Sequence, residues 1–422
     1  MNINIIANKI KEKGGTLYLV GGAIRDELLG NKVHDEDYCV QGLNKEEFEE
    51  LFPNAFKRGK FFGVYDIEGK EFALARKEIK KGKGHKNFDI ITGKEISIEE
   101  DLSRRDITIN SIAKEVLTEK IIDLFGGKQD LENKIIRATT KAFKEDPLRV
   151  YRVARFASLL KFSVDNQTLK MMNELKAELK SLSAERVFTE YRKALESDKP
   201  SIFFEVLKKA NVLDVHFKEI YDLIGSTQPQ KYHPEGDSYN HTMIVVDKCA
   251  SLTENLSIRF SALVHDLGKG ITPKEMLPHH YGHDKNGVEL VKKLGNRLKI
   301  PNSWIKCGKV SAKEHMLGGI FNQMTPKKQV DFIERVSKSI LGLDGMKIVV
   351  ICDKWREKEM PKDIIFYEIG KQCIKEINGE YIKQKYNIKN MEQVGELLRK
   401  ERIEWIKKNI KRDWKQIWFN IK

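Results

Sequence analysis

Residues 17–40, LYLVGGAIRDELLGNKVHDEDYCV, constrain the chain more than any other stretch. Leu17 to Val20 is a β-prone apolar run, and Gly21-Gly22 ends it with a turn that needs no Cβ clearance. Ala23 to Leu29 then has room for a short helix, whose first amides and Arg25 would face an incoming anion. Asp35, Glu36 and Asp37 run into the apolar Tyr38-Cys39-Val40. On a second strand, Asp35 and Asp37 share one face and Glu36 takes the other. Two adjacent carboxylates repel unless a cation lies between them, and hard divalent ions such as Mg²⁺ take oxygen ligands of this kind. A lone Gly-Gly is usually only a turn, and a lone Asp-x-Asp only a solvated strand end. Joined in one strand–turn–helix–strand unit, they supply what nucleotidyl transfer requires: a phosphate cradle beside a metal site.

The next segments extend that site. Phe61, Phe62 and Val64, then Asp66 to Glu68, a turn at Gly69, and Glu71 to Arg76 read as alternating strands. Residues 77–100 are rich in lysine and glycine and read as a mobile basic loop. In DLSRRDITINSIA, residues 101–113, Arg104 and Arg105 have the fork geometry to clamp phosphate oxygens, and Asp106 can accept from a ribose hydroxyl. An arginine pair beside an aspartate is equally a structural ion-pair knot. From Phe143 the texture turns helical. Asp146-Pro147 predicts a helix start, with Asp at the N-cap and Pro first inside. Arg149, Arg152 and Arg155 follow at steps of three, along one helix stripe that needs an anion or a base edge opposite. An Asp with an Arg also forms a donor/acceptor set able to read a base edge. Residues 160–230 continue as amphipathic helices with little chemistry beyond packing and basic surface.

These stretches, YLVGGAIRDELLG, DED, FALARKE with KGKGH, DLSRRDITINSIA and EDPLRVYRVARF, occur in the order found in bacterial class II tRNA nucleotidyltransferases, the CCA-adding enzymes of the polymerase β superfamily, which this part of the chain resembles. The resemblance implies an α/β polymerase β-like head over residues 1–140 and an all-α neck and body over 141–230. It implies that Asp35 and Asp37 hold Mg²⁺, that Gly22, Arg25 and Arg105 contact the triphosphate, and that Asp106 lies near the ribose. Asp146 and Arg149 would form the protein template that selects CTP and then ATP, with Arg152 and Arg155 completing the nucleotide pocket. Glu71 is a weaker candidate for a third carboxylate. The loop from Lys77 matches the element that helps the switch from C to A addition, and its full length speaks against an enzyme that adds only CC.

Seven of the ten histidines fall between residues 233 and 353: His233, His241, His265, His279, His280, His283 and His315. Adjacent His265 and Asp266, at the end of an apolar helix, can bind a metal together when another histidine and a distant aspartate close the site. This pattern resembles the HD phosphohydrolase domain. It implies an all-α domain over residues 231–355 with His241, His265, Asp266 and Asp353 as metal ligands, and His283 and His315 as further ligands or phosphate contacts. Nitrogen ligands suit Ni²⁺ or Mn²⁺ better than bare Mg²⁺. An HD domain behind this head resembles the multifunctional type of the family, for which phosphatase, 2′-nucleotidase and 2′,3′-cyclic phosphodiesterase activities are implied. The implied partners are the tRNA 3′ end, CTP and ATP, with the chain a monomer or weak homo-oligomer. A bacterial poly(A) polymerase shares the head motifs but not the HD domain, and an inactive tRNA-binding module would not need intact carboxylate and His/Asp sets.

Composition agrees. A net charge of +14 suits a polyanionic partner. Five scattered cysteines without C-x-x-C spacing point to a reducing cytoplasm rather than a disulfide framework. No signal-peptide or membrane-spanning pattern is present, so no membrane is expected. In the tail, residues 356–422, Trp405, Trp414 and Trp418 interleave with Lys407, Lys408, Lys411, Arg412 and Lys415 as an amphipathic basic helix whose first expectation is packing on the body.

Overall fold

A computed structural model describes residues 2–33, 35–58, 63–80, 88–354, 365–387 and 391–410. It divides into two compact units, residues 1–194 with 202–215, and residues 195–201 with 216–422.

The first unit is built on a mixed seven-stranded sheet. Its strands are β1 (Thr16–Val20), β2 (Asp37–Gln41), β3 (Phe56–Arg58), β4 (Val64–Ile67) and β5 (Lys70–Leu74). A separate hairpin, β6 (Arg76–Lys80) and β7 (Phe88–Thr92), follows, before β8 (Ala113–Glu115) and β9 (Ile121–Ile122) complete the main sheet in the order β3-β4-β5-β2-β1-β8-β9. Both faces are covered. Leu17, Tyr38, Val40 and Phe72 pack on one side against Ile6, Ile10 and Phe48. Tyr18, Val20 and Cys39 pack on the other against Ile98, Leu102 and Ala113. Two-residue periodicity therefore assigns Asp37 to the Cys39 face, the side on which the segment containing Arg104 and Arg105 lies. Register does the rest: β1 pairs Val20 with Asp37, and β2 pairs Asp37 with Glu71, so a turn and two carboxylates meet at one sheet end.

Gly21 follows β1 at φ +71°, a backbone conformation that favours glycine, and a Cβ there would stand 3.0 Å from Arg105 Nη1. The helix Gly22–Leu28 follows. Asp35 lies just before β2 rather than on it. Glu36 points as alternation requires, to the Tyr38 hydroxyl at 3.0 Å and to Lys70.

Two local expectations change. Much of residues 77–100 is ordered pairing rather than loop, since β6 and β7 match Arg76 with Thr92 through Lys80 with Phe88, and the helix Ile98–Ser103 ends the segment. Residues 81–87, with the KGKGH core, lie outside the described residues, as do Phe61 and Phe62. The α-helix after Asp146 begins at Arg149, because the first turn closes through i−3 bonds from Arg149, Val150 and Tyr151 to Asp146, Pro147 and Leu148. The Asp146 carboxylate still caps that turn, accepting from the Leu148 amide at 3.0 Å.

The second unit is helical throughout its described residues. The helices Ser238–Leu252, Leu256–Val264, His283–Arg297, Asn302–Gly319 and Gly342–Lys354 carry its polar centre. Arg259 is buried and donates to the carbonyls of Thr253, Leu195, Ser197 and Ala250, so one guanidinium ties residues 195–197 and 250–253 to its own helix. In the tail, Ile406 is buried in the core that holds Phe332 and Met346, and Trp405 Nε1 donates to Glu376 at 2.7 Å. Trp414, Trp418, Lys411, Arg412 and Lys415 lie outside the described residues. Among those described, no helix is long and apolar enough to cross a membrane.

Candidate active sites

One cavity of about 720 Å³ in the first unit gathers every head candidate: Gly22, Arg25, Asp35, Asp37, Glu71, Arg105, Asp106, Asp146, Arg149, Arg152 and Arg155. Burial raises the Asp37 carboxyl, Arg105 opposes the shift, and Asp35 reinforces it. A group held between these influences is the kind of ligand a cation stabilises. Asp35, Asp37 and Glu71 all line this cavity, and carboxylate oxygens are the donor type that a hard divalent ion takes.

The arginines are less free than their spacing predicts. Asp101, buried, takes Arg104 on Oδ1 at 2.5 Å and Arg105 on Oδ2 at 3.0 Å. Burial works against its charge, yet the two guanidinium groups hold its carboxyl below the usual range. The pair is thus an ion-pair knot, and Arg105 still lines the cavity from within it. Asp106 is similarly occupied. Its Oδ2 accepts from Arg152 Nε at 2.7 Å, and its Oδ1 from the Ile107 amide and from Asn110. Burial opposes ionisation there, but Arg152 and Arg149 bring its pKa down to about 2. Arg149 donates to the carbonyls of Ala142 and Arg104 at 2.7 and 2.6 Å. Arg155 faces Glu190 at 3.1 Å, with both groups buried. The stripe therefore has carboxylates opposite Arg152 and Arg155 from the protein itself, which offsets the cost that sequence reasoning assigned to an external anion.

Two contributors were not singled out in the sequence. Asn110 accepts from Arg25 Nη1 at 2.8 Å and donates to Asp106. Arg186 donates from Nη2 to Asp146 Oδ2 at 3.0 Å, while its buried Nη1 has no protein partner. For Arg186 the signal is its spacing from Glu190, which places both on one helix face.

A second cavity, of about 680 Å³, lies in the second unit and is lined by His233, His279, His280, His283, His315 and Asp353, while His241, His265 and Asp266 are not among its lining residues. The helix Leu256–Val264 stops just before His265, so His265 and Asp266 turn inward from a helix end rather than lying on the helix. Asp266 is central. Its oxygens lie 3.2 Å from His265 Nε2, 3.3 Å from His315 Nε2, 3.5 Å from His283 Nε2 and 3.8 Å from His241 Nε2. Asp353 closes the group, 3.0 Å from His241 Nε2 and 3.8 Å from His265 Nε2.

What the other ring nitrogens do decides the chemistry. Nδ1 of His265, His283 and His315 lies 2.7, 2.6 and 3.0 Å from the carbonyls of Ala262, His280 and Ser311. A carbonyl only accepts, so Nδ1 carries the proton and Nε2 of a neutral ring presents a lone pair to the centre. His241 differs: it lies between two carboxylates, with Nδ1 2.6 Å from Glu235 and Nε2 3.0 Å from Asp353. The inward Nε2 atoms of His265, His283 and His315 are buried and lack hydrogen-bond partners. Such orphaned polar atoms are costly, and their convergence fits a bound metal ion. Among the described residues, His241/His265/Asp353 and His265/Asp266/His315 each bring ligand atoms within 4.8 Å of one another. Burial lowers the His283 pKa. Burial opposes protonation of His241, but Asp353 and Glu235 raise it to about 9. Glu235 and Lys269, whose ammonium lies 2.6 Å from Asp266 Oδ2, were not singled out in sequence, although they follow His233 by two positions and Asp266 by three.

Three families match along the chain: one described as the Poly A polymerase head domain over residues 17–137, a probable RNA and SrmB-binding site of polymerase A over 161–223, and an HD domain over 238–330. The multifunctional CCA protein of Shewanella denitrificans is 43% identical over 307 residues, 71% of this chain and 73% of that protein. A CCA-adding enzyme solved with ATP superposes with TM-score 0.63 at 20% identity, over 95% of this chain and 89% of that one. The Thermotoga maritima CCA-adding enzyme complexed with tRNA gives 0.64 at 18% identity, over 99% and 94%. At such identities the two superpositions establish a shared fold.

Proposed function

Because the chain belongs to the multifunctional CCA protein family, we propose that it adds C, C and A to the 3′ end of tRNA from CTP and ATP, and that its histidine cluster is a metal-dependent phosphohydrolase. The observation that carries the first half is the single cavity uniting the carboxylates with the arginines. The tRNA 3′ oxygen forms a bond to the α-phosphorus while the bond to the β-phosphate oxygen breaks, releasing pyrophosphate. Mg²⁺ on Asp35 and Asp37, with Glu71 as third carboxylate, would lower the hydroxyl pKa and offset charge on the leaving group.

The remaining work falls to the protein. The amides beyond Gly22, with Arg25 and Arg105, bind the triphosphate; Asn110 and Asp101 hold those two arginines in place before it arrives. Asp106 and Arg152 act as a fixed pair near the ribose, with Arg155 beside them. Asp146 and Arg149 offer the donor/acceptor edge that chooses the base, and Arg186 restrains Asp146. Positioned charges that need no rearrangement are the main source of acceleration in such a site. The test is incorporation on tRNA lacking its terminus. With CTP alone, C is added; Asp35→Asn abolishes it. Incorporation of ATP but never CTP would instead mark a poly(A) polymerase.

The second half rests on the unpartnered Nε2 atoms that converge on Asp266. Ni²⁺ or Mn²⁺ held by His241, His265, Asp266 and Asp353 would activate a water, whose oxygen bonds to the phosphorus as the ribose oxygen leaves. His283 and His315 serve as further ligands or phosphate contacts. Phosphatase, 2′-nucleotidase and 2′,3′-cyclic phosphodiesterase activities share that chemistry. Asp266→Ala removes metal uptake and phosphate release while CCA addition continues; loss of both activities together would refute two independent sites. In this reading the functional parts are a head (1–140), a neck and body (141–230), an HD domain (231–355) and a tail (356–422), acting in the cytoplasm as a monomer or weak homo-oligomer.

A further inference from the structure

Three arginines of the head cavity converge on one apolar side chain. Phe156, on the helix Arg149–Leu160, is 8% exposed and lines that cavity. The guanidinium carbons of Arg155, Arg25 and Arg152 lie over its ring, 4.2, 5.3 and 5.5 Å from the centroid. Arg152 stands one helical turn before Phe156 and Arg155 is its neighbour, whereas Arg25 reaches the ring from the helix Gly22–Leu28. A ring has two faces, so at least two of these cations share one.

Like charges gathered in this way repel. Burial lowers the Arg155 pKa, Glu190 opposes the shift, and Arg152 and Arg25 add to it. Each guanidinium has a carboxylate of its own: Asp26 meets Arg25 at 2.9 Å, Asp106 meets Arg152 at 2.7 Å and Glu190 meets Arg155 at 3.1 Å. Asn110 joins Arg25 to Asp106, and Arg155 stands outside that chain. Phe156 touches all three. The negative face of an aromatic ring attracts cations, more strongly where water is excluded, and a flat ring holds them at a set spacing.

We propose that Phe156 is a positioning residue for nucleotidyl transfer, whose ring holds Arg25, at the triphosphate, in fixed register with Arg152 and Arg155, at the ribose. The proposal rests on the nucleotidyltransferase reading and deepens it by naming what spaces the two ends of the bound nucleotide. Triphosphate and ribose are common to CTP and ATP, so the ring serves affinity for both and not the choice between them.

The experiment uses the full-length protein and tRNA ending just before each addition. Phe156→Leu keeps most of the apolar volume and removes the aromatic face. KM for CTP and for ATP should each rise about 5- to 30-fold, the range a desolvated cation–π contact supports, with a smaller change in kcat. The deciding series places phenylalanine with one, two or three ring fluorines at position 156. Fluorine withdraws charge from the face and nearly preserves the volume. The logarithm of KM should climb with each fluorine, equally for the two nucleotides, and the CTP/ATP ratio of kcat/KM should stay constant. A KM that is flat across the series overturns the proposal, even beside an impaired leucine variant, because that loss is then one of packing. A CTP/ATP ratio that drifts with fluorination also overturns it, since the ring would then act on the base. Circular dichroism melts identify a leucine variant that has lost its fold, and the fluorinated proteins then carry the comparison alone. Failure of wild type to incorporate either nucleotide overturns the nucleotidyltransferase reading instead. Calorimetric CTP affinity across the same series then decides the role of Phe156: stepwise weakening supports it, and a flat series or no binding refutes it.

Discussion

Gly268→Ala tests how closely the fold of the second unit and its histidine cluster depend on one another. Gly268 follows Asp266 by two residues, and a Cβ there would stand 1.9 Å from the His283 carbonyl oxygen, 2.7 Å from the His283 carbonyl carbon and 2.8 Å from the Gly287 amide nitrogen. All three are backbone atoms, so no side-chain rotation gives relief. Ordinary contact begins near 3.4 Å, and the start of the helix His283–Arg297 must therefore retreat by about 1.5 Å. Overpacking of this kind costs about 1–3 kcal/mol. For a unit of roughly 200 residues, each kcal/mol lowers the melting temperature by about 2–4 °C. The same retreat moves His283 Nε2 away from Asp266 Oδ1, now 3.5 Å distant. Displacing a supporting group at a metal site typically weakens binding 10- to 100-fold. Calorimetric Mn²⁺ titration and a circular dichroism melt should show both effects. Gly379→Ala, where a Cβ meets nothing within 4 Å, should show neither. Wild-type melting and metal affinity in Gly268→Ala would refute the reasoning.

Two further outcomes follow from named groups. Burial, reinforced by Arg297, lowers the His216 pKa to about 4. As pH falls below about 6.5, the unfolded chain takes up a proton that the folded chain refuses, so stability declines by roughly 1.4 kcal/mol per pH unit and levels off near pH 4. His216→Gln should remove that component, about 3 kcal/mol by pH 4, from urea titrations run across this window. Arg186→Gln releases the Asp146 carboxylate from its 3.0 Å restraint. It should reduce discrimination between CTP and ATP about 10-fold in single-nucleotide incorporation, consistent with roughly 1–3 kcal/mol for a bidentate base contact; unchanged discrimination would show that Asp146 needs no restraint.

The head was legible in sequence because its chemistry is local. Asp35, Glu36 and Asp37 stand within three positions, and period-two alternation was enough to separate Glu36, now bonded to Tyr38, from Asp37. Turn chemistry located Gly21-Gly22 for the same reason. The ion pairs were not legible, because Asp106 meets Arg152 across 46 positions and Asp146 meets Arg186 across 40. No short-range pattern reports such partners, so a stripe of arginines looked uncompensated. The basic stretch after Arg76 misled in another way: lysine has little preference for strands, but hairpin bonds between backbones need no particular side chain. In the second unit the ligand types were visible, whereas the carbonyls that orient three of the rings belong to Ala262, His280 and Ser311 through their main chain alone.

Those three carbonyls also govern how the protein responds to scarcity. If the proposed ion occupies this centre, rings locked with their lone pairs facing inward cannot turn to find other partners when it is withdrawn, so the whole cost of the vacated centre falls on the segments that carry them. A chelator should therefore loosen this half of the molecule before it silences it, and newly made chains should hold their helices together best where the ion is plentiful.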